Sequence, residues 1–124
     1  MQPPPLPEPA PDVGVGQPSP LPGLRVAFLT HYAELYGANL SLLNLIEGLG
    51  RYGVRAHVIC PEPGDLLAAL AQCGVPAAVL PFAWWVSPRR TLRGVATRLL
   101  QNVRVLRPLA AQIGRWGCDL VYSN

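Results

Sequence analysis

Proline constrains this chain more than any other residue, because its positions decide where regular structure can form. Nine of the 15 prolines lie in residues 1–22, where they alternate with small or polar residues. A proline has no backbone N–H donor, so this stretch cannot form a helix or an inner strand. It also lacks the basic start and the apolar run of a signal peptide. We therefore expect a disordered proline-rich tail over residues 1–22 and one folded domain over residues 23–124.

The composition favours a packed protein with reduced cysteines. Half of the 124 residues are hydrophobic and only 14% are charged, so the chain can bury a core and global disorder is excluded. Its three cysteines, Cys60, Cys73 and Cys118, are widely spaced and form no C-x-x-C pair. This pattern favours neither a disulfide framework nor a zinc site, and it indicates a cytoplasmic protein.

Strand-like and helix-like segments alternate through the folded part. The run Leu24–Thr30 is almost continuously apolar, which is typical of a strand covered on both faces. A helix with Asn39 or Ser41 as its N-cap follows. The predicted order is strand 24–30, helix 39–49, strand 54–60, helix 65–73, strand 77–80, helical region 91–116 and strand 119–123. Such alternation predicts an α/β fold, a Rossmann-like three-layer domain with a parallel sheet of about four strands.

The helical region 91–116 is long for a single helix. It contains Pro108, which lacks the N–H that a helix interior needs, so we expect a break or kink, with Pro108 opening a second short helix. Its large apolar residues share one face, which predicts a helix packed on the core with a solvated charged face. These residues are Leu92, Val95, Leu99, Val103 and Leu106.

Charge is segregated along the chain. Residues 1–86 carry three arginines and six acids, a net charge of −3, whereas residues 87–124 carry seven arginines and one acid, a net charge of +6. The alternative to a merely solvated face is contact with an anionic membrane surface through Arg89, Arg90 and Arg93, beside the tryptophan pair 84–85. No nucleic-acid reader motif accompanies the charge, so nucleic acid is not an expected partner.

One segment has the length of a membrane span. Residues 66–88 are 23 residues without a formal charge, about what a bilayer requires. Gly74, Pro76 and Pro81 interrupt this segment. It therefore divides into a short helix and a short strand of a folded core, and we do not expect a transmembrane helix.

The candidate site lies in the loops that follow the strands, because ligands of open parallel sheets bind beyond the carboxyl ends of the strands. Gly37 stands just before a predicted helix, where a phosphate can meet unpaired backbone N–H groups; the alternative is a glycine that only makes a tight turn. His31, after the first strand, is either a base or substrate contact, or a capping or packing residue. His57 lies within a strand and is expected to be structural.

Several common chemistries are excluded by the sequence. The chain has no lysine, so it cannot form a P-loop. Its two G-x-G patterns lie in the proline-rich tail, at residues 14–16, and at the end of a predicted helix, at residues 48–50, and neither follows a strand. Neither G-x-S-x-G nor H-E-x-x-H occurs. Rossmann-type dehydrogenases and the common hydrolases are therefore disfavoured, and no catalytic residue, metal site or cofactor is predicted.

The order of these motifs resembles the start of the N-terminal domain of family 4 glycosyltransferases of the GT-B fold. The similarity begins with LRVAFLTHYAELYGANLSLLNLIEGLG, continues through GVRAHVICPEPG and GVPAAVLPF, and closes with CDLVYSN, so it covers residues 24–124. Three positions depart from the family pattern: Tyr36 replaces the first glycine of the loop, Asn39 replaces a glutamate, and Gly117-Cys118 stand where a proline often precedes the aspartate.

The resemblance implies transfer of a sugar from a nucleotide-sugar to an acceptor, with retained anomeric configuration and no obligatory metal. It implies a donor diphosphate loop at Gly37, Ala38 and Asn39. It also implies acceptor-side contacts, for which the candidates are His31, Tyr36, Ser123 and Asn124. The acceptor is a sugar or a lipid-linked molecule, and the protein is cytoplasmic, with peripheral contact at the inner membrane face.

The family holds the nucleotide on a second Rossmann-like domain with a Glu-x7-Glu motif, and this chain has no such segment. We therefore expect a partial N-terminal domain, a fragment that is inactive alone. The alternative is a Rossmann-like binding or interaction module without catalysis.

Overall fold

A computed structural model describes residues 23–83 and 91–123. The elements are, in chain order, β1 Arg25–Leu29, α1 Gly37–Gly50, β2 Arg55–Cys60, α2 Asp65–Gln72, β3 Ala77–Val79, α3 Leu92–Trp116 and β4 Leu120–Ser123. The four strands form one parallel sheet in the order β3-β2-β1-β4. The predicted α/β fold with a four-stranded parallel sheet is confirmed.

The main core lies between the sheet and the two helices α1 and α2. Val26 and Phe28 of β1 and Val58 of β2 point to this side, because alternate residues of a strand face the same way. The helices contribute apolar residues spaced by four positions, which share one face at helical periodicity. These are Leu42 and Ile46 of α1, and Leu66 and Leu70 of α2.

The opposite face of the sheet carries α3 and gives the domain its third layer. The ring of His57 in β2 lies 5.0 Å from the ring of Trp116, measured between centroids. Val105, at 8% exposed, is the only buried residue of α3 in the part of the chain that the structure describes. Helix α3 therefore buries fewer side chains than α1 and α2 do, and most of its apolar surface stays exposed.

Two local predictions are wrong. Helix α1 begins at Gly37 after an N-cap at Tyr36, so Asn39 and Ser41 lie inside it, and no side chain caps its first turn. Asn39 does not cap the helix because its amide is used by the preceding loop, as described below. Helix α3 runs unbroken from Leu92 to Trp116 with Pro108 inside it. Pro108 is exposed, so the carbonyl that loses its donor can be hydrated.

The apolar face of α3 is not packed on the core, contrary to the sequence-based expectation. Its exposed fractions are 92% for Leu92, 55% for Val95, 49% for Leu99, 53% for Val103 and 58% for Leu106. The side that faces the sheet instead carries Val105 and Trp116. The predicted tail 1–22, the tryptophan pair 84–85, Arg89, Arg90 and Asn124 lie outside the described residues.

Candidate functional site

The topology of the sheet identifies one crevice as the candidate binding site. From β1 the chain moves outward through β2 to β3, and it then returns through α3 to β4 on the other side of β1. The carboxyl ends of β1 and β4 are therefore the point at which the strand order reverses, where ligands of such sheets bind. Leu29 pairs with Ser123 at this end, so Ser123 lies beside the loop that follows β1.

The loop after β1 is held by one buried amide. Asn39 is 2% exposed, and its Nδ2 donates to the carbonyl oxygens of Tyr32 at 3.0 Å and Glu34 at 2.6 Å. Its Oδ1 accepts from the hydroxyl of Thr30 at 2.7 Å. Because three bonds from one side chain span residues 30–39, Asn39 fixes the conformation of the loop. The position that departs from the family pattern is thus a structural one here.

Gly37 is the first residue of α1, whereas the sequence predicted it just before the helix. A Cβ added to Gly37 would meet no atom within 4 Å, so the fold itself does not require glycine at this position. The backbone N–H of Asn39 donates to the carbonyl of Tyr36 at 2.7 Å, and its side chain is engaged as described. Gly37 and Ala38 remain the predicted diphosphate contacts at the helix N-terminus, whereas Asn39 supports the loop from within.

A shallow cavity of about 240 Å³ adjoins the helix N-terminus. Tyr32, Glu34 and Tyr36 line it, together with Ala38 and Asn39. Tyr36 is 77% exposed and Tyr32 is 44% exposed. The surface that lines the cavity is almost entirely apolar. The cavity therefore suits the apolar face of a ligand better than a phosphate.

Tyr32 and Glu34 were not among the residues singled out from the sequence. Their only signal is their position in the loop directly after β1, which names a region and not a side chain. The bonds from Asn39 to their carbonyl groups fix the backbone at both residues. That constraint depends on the folded loop, so no spacing rule in the sequence could reveal it.

The loop that follows β2 supports the loop that follows β1, because the two backbones approach closely. The N–H of Leu66 donates to the carbonyl of Ala33 at 2.9 Å. A Cβ added to Gly64 would lie 2.6 Å from both the Cβ and the carbonyl oxygen of Ala33. Glycine is thus required at position 64 by contact with the first loop, since any side chain would push the two loops apart.

The loop that follows β3 is attached to α3 by polar side chains. Asn102 forms a reciprocal pair with Ala83, because its Oδ1 accepts from the Ala83 N–H at 2.7 Å and its Nδ2 donates to the Ala83 carbonyl at 3.1 Å. Gln101 Nε2 donates to the carbonyl of Pro81 at 3.2 Å. Phe82 meets the ring of His31 edge-on at 6.2 Å between centroids. His31 thus packs against the loop after β3, and its acceptor role stays a prediction.

The surroundings of His57 and Cys60 indicate structural roles for both residues. Burial lowers the pKa of His57, and the nearby Arg25 and Arg55 act in the same direction. Burial raises the pKa of the Cys60 thiol to about 11, so it stays protonated and unreactive at neutral pH. Cys60 is fully buried, as expected of a small hydrophobe, whereas Cys73 is exposed.

A larger cavity, about 600 Å³, lies at the opposite end of the sheet. Its lining is mostly apolar and includes Ile46, Val54 and Val75. Its carboxylate, Glu47, is paired with Arg51 at 2.9 Å. We assign the candidate site to the smaller cavity, because only that one lies at the carboxyl ends of the strands, where the topology opens a crevice.

Residues 23–83 and 91–123 contain no group of three or more metal-ligating side chains. None of the helices in these ranges is both long and apolar enough to cross a bilayer. Ser123 and Arg93 are exposed at the end of β4 and in the first turn of α3, whereas Asn124, Arg89 and Arg90 lie beyond the described part of the chain.

The chain matches no protein-family model, no curated protein and no solved structure.

Proposed function

We propose that this chain is the acceptor-side part of a retaining, nucleotide-sugar-dependent glycosyltransferase. The observation that carries the proposal is the exposed set Tyr32, Glu34 and Tyr36 beside the N-terminus of α1, at the switch point of the sheet. Tyrosine rings pack against the apolar faces of sugar rings, and the Glu34 carboxylate accepts hydrogen bonds from sugar hydroxyls. These are the groups that an acceptor sugar needs.

The donor diphosphate belongs next to this cavity and not inside it. Gly37 leaves the space beside the first turn of α1 open, so a diphosphate can approach the backbone there. The nucleotide would be held by a second domain of a longer parent, as the family resemblance implies. The 124 residues alone should not transfer sugar, because catalysis requires both substrates to be positioned together. Turnover by this chain above a buffer blank would contradict that expectation.

Acceptor binding is tested by nuclear magnetic resonance of the 124-residue chain with glucose, mannose and N-acetylglucosamine. We expect shifts of the residue 31–37 amides with at least one sugar, and a loss of those shifts in Tyr36→Ala. Tyr52→Ala is the matched control, since Tyr52 is 37% exposed and lies in the turn after α1. Sugar shifts that persist in Tyr36→Ala, or that appear only elsewhere, would refute the assignment.

The role of Gly37 is tested in the longer parent. Gly37→Val should impair use of the nucleotide-sugar more than folding, because the added side chain occupies open space in the fold but obstructs a diphosphate. Unchanged kcat and KM for the donor would make Gly37 only the first residue of a helix.

We also propose a cytoplasmic location with peripheral contact at an anionic membrane, which suits a lipid-linked acceptor. Arg93, Arg104, Arg107 and Arg115 are exposed on α3, and residues 92–116 contain no acid. Each arginine near an anionic surface contributes about 1 kcal/mol, so changing Arg89, Arg90 and Arg93 together to Gln should weaken vesicle binding about 100-fold at low salt.

Vesicle co-sedimentation measures this effect. Arg51→Gln is the control for the loss of an exposed arginine elsewhere, and it is compared with Arg93→Gln alone. Arg51 is exposed but paired with Glu47, in the turn after α1. Equal binding to neutral and anionic vesicles would reduce the arginines to a solubilising surface. A non-catalytic binding module remains the alternative function, and sugar binding by a chain whose parent carries no donor domain would favour it.

A further inference from the structure

The larger cavity lies between helices α1 and α2, at the amino end of β2. Its volume is about 600 Å³, and its lining is mostly apolar. The lining comes from the second half of α1, the start of β2 and the turn between α2 and β3, and it includes Ile46, Val54 and Val75. A cavity of this size and character suits an apolar occupant, because a polar group buried there without a partner costs free energy.

The proline-rich tail, residues 1–22, joins the domain beside this cavity. Arg25 of β1 pairs with Arg55 of β2. The residues before them, Leu24 and Val54, therefore lie side by side, and Val54 belongs to the cavity lining. The N–H of Arg55 donates to the carbonyl of Leu24 at 2.8 Å, and Leu24 packs against the core that α1 and α2 cover. The junction is thus about 4.8 Å, one strand spacing, from the cavity lining.

The backbone turns at this junction. Gly23 has a φ of 80°, in the left-handed region that favours glycine. An extended residue in this place would continue the line of β1 away from the sheet. A residue with positive φ changes the direction of the chain instead, which is what a tail that returns to the domain requires.

The sequence just before the junction suits an apolar cavity. Residues 13–22 carry no charge, and the last three are Pro20, Leu21 and Pro22. Proline has no N–H, so this triplet brings only one backbone donor into apolar surroundings. The fixed φ of the two prolines also reduces the conformational entropy that is lost when the triplet is ordered.

We propose that Leu21 and its flanking prolines occupy the cavity between α1 and α2, so that the tail covers the amino end of the sheet. Three residues span about 10 Å, twice the spacing of two strands, so Leu21 reaches the cavity from Leu24. A tether this short gives an effective concentration in the millimolar range, an advantage that a free ligand or a second copy does not have. The cavity is at the opposite end of the sheet from the switch-point crevice, so this inference does not depend on the proposed function.

The tail contains the same proline-leucine-proline triplet twice, at residues 5–7 and 20–22. Leu6 lies 18 positions before Leu24, whereas Leu21 lies three positions before it. The probability of closing a flexible tether falls with about the three-halves power of its length, so the effective concentration of Leu6 at the cavity is about 15-fold lower. Leu21 is therefore the expected occupant, and Leu6 provides a control with identical neighbours.

The test is the alkylation of Cys73 by iodoacetamide in the 124-residue chain, followed by mass spectrometry of peptides. Cys73 is an exposed free thiol in the cavity lining, so an occupant of the cavity shields it. Leu21→Asp should accelerate its alkylation about threefold or more, which corresponds to docking in two thirds of the molecules. Leu6→Asp should leave the rate unchanged. Cys118, which is not in the lining, is the internal control, because an equal rate in all three chains verifies that the fold is intact.

Equal rates of Cys73 alkylation in the wild type and in Leu21→Asp would overturn the proposal, as would an equal acceleration by Leu6→Asp. A wild-type rate that rises on dilution would assign the cavity to the tail of a second copy. Decanoate serves as a free apolar probe. We expect it to slow the alkylation of Cys73 in Leu21→Asp more than in the wild type, and equal slowing in both chains would show that the tail does not fill the cavity.

Discussion

Removing the amide of Asn39 should destabilise the protein more than any other single change in the candidate site. Its side chain makes three hydrogen bonds at 2.6 to 3.0 Å, and the residue is 2% exposed. Each buried hydrogen bond contributes about 1 kcal/mol net, so Asn39→Ala should cost about 3 kcal/mol. Alanine is the better helix former by about 0.7 kcal/mol. The expected net loss in the free energy of unfolding is therefore about 2 to 3 kcal/mol.

The environment of Thr30 limits that loss. Thr30 is 1% exposed, but the Tyr32 carbonyl at 3.1 Å is a second acceptor for its hydroxyl, so Thr30 keeps a partner without Asn39. The carbonyl groups of Tyr32 and Glu34 lose their amide donor. We expect these two groups to become hydrated as the loop loosens, which lowers the cost below that of two stranded carbonyls.

Urea unfolding followed by circular dichroism measures the effect. Asn44→Ala is the matched control, because Asn44 is exposed on the same helix, and it should raise stability by no more than the helix-propensity difference of about 0.7 kcal/mol. Asn39→Asp separates hydrogen bonding from volume, since it preserves the size of the side chain but loses both amide donors. If Asn39→Asp were as stable as the wild type, or Asn39→Ala no worse than Asn44→Ala, the assigned role would be wrong.

Two further changes test the packing around the site and on the far face of the sheet. Gly64→Ala should lower the free energy of unfolding by about 1 to 3 kcal/mol, because the added Cβ would lie 2.6 Å from Ala33. Gly50→Ala is the control in the same urea assay, and it should cause no measurable loss, because its Cβ would meet nothing within 4 Å. Burial beside Trp116, with Arg25 and Arg55 nearby, lowers the pKa of His57 in the folded state. The contribution of His57 to stability is therefore complete above about pH 6.5, its unfolded pKa, and is lost as the pH falls through the folded pKa. His57→Gln should flatten that part of the stability profile, and an unchanged acid slope would show that another group causes it.

The sheet could be predicted from the sequence because its two central strands, β1 and β2, are buried on both faces. Val26, Ala27 and Phe28 are all buried in β1, and Val58, Ile59 and Cys60 are all buried in β2. Such runs are continuous in the sequence and need no knowledge of neighbouring elements. The order of the elements then fixes the parallel sheet, and with it the loops that surround the crevice.

The interior of the site could not be predicted in the same way. Asn39 satisfies the sequence rule for an N-cap, yet its amide is directed to the carbonyl groups of the loop before the helix. Asparagine is favoured both at caps and in loop-stabilising turns, because its side chain can bond to the backbone in either direction. Which backbone it bonds depends on the path of the loop, and the sequence alone does not specify that path.

Helix α3 shows the corresponding limit for packing. Its periodicity correctly grouped Leu92, Val95, Leu99, Val103 and Leu106 on one face, but the structure exposes that face. Spacing determines which side chains share a direction, whereas the connection from β3 to β4 determines how the helix is rotated on the sheet. The helix is rotated so that Asn102 reaches Ala83, where it supports the loop after β3. With the helix in this rotation, Val105 is buried and Leu92, Val95, Leu99, Val103 and Leu106 are exposed. An amphipathic pattern therefore predicts which side chains share a face, and the rotation of the helix on the sheet decides whether the domain itself covers that face.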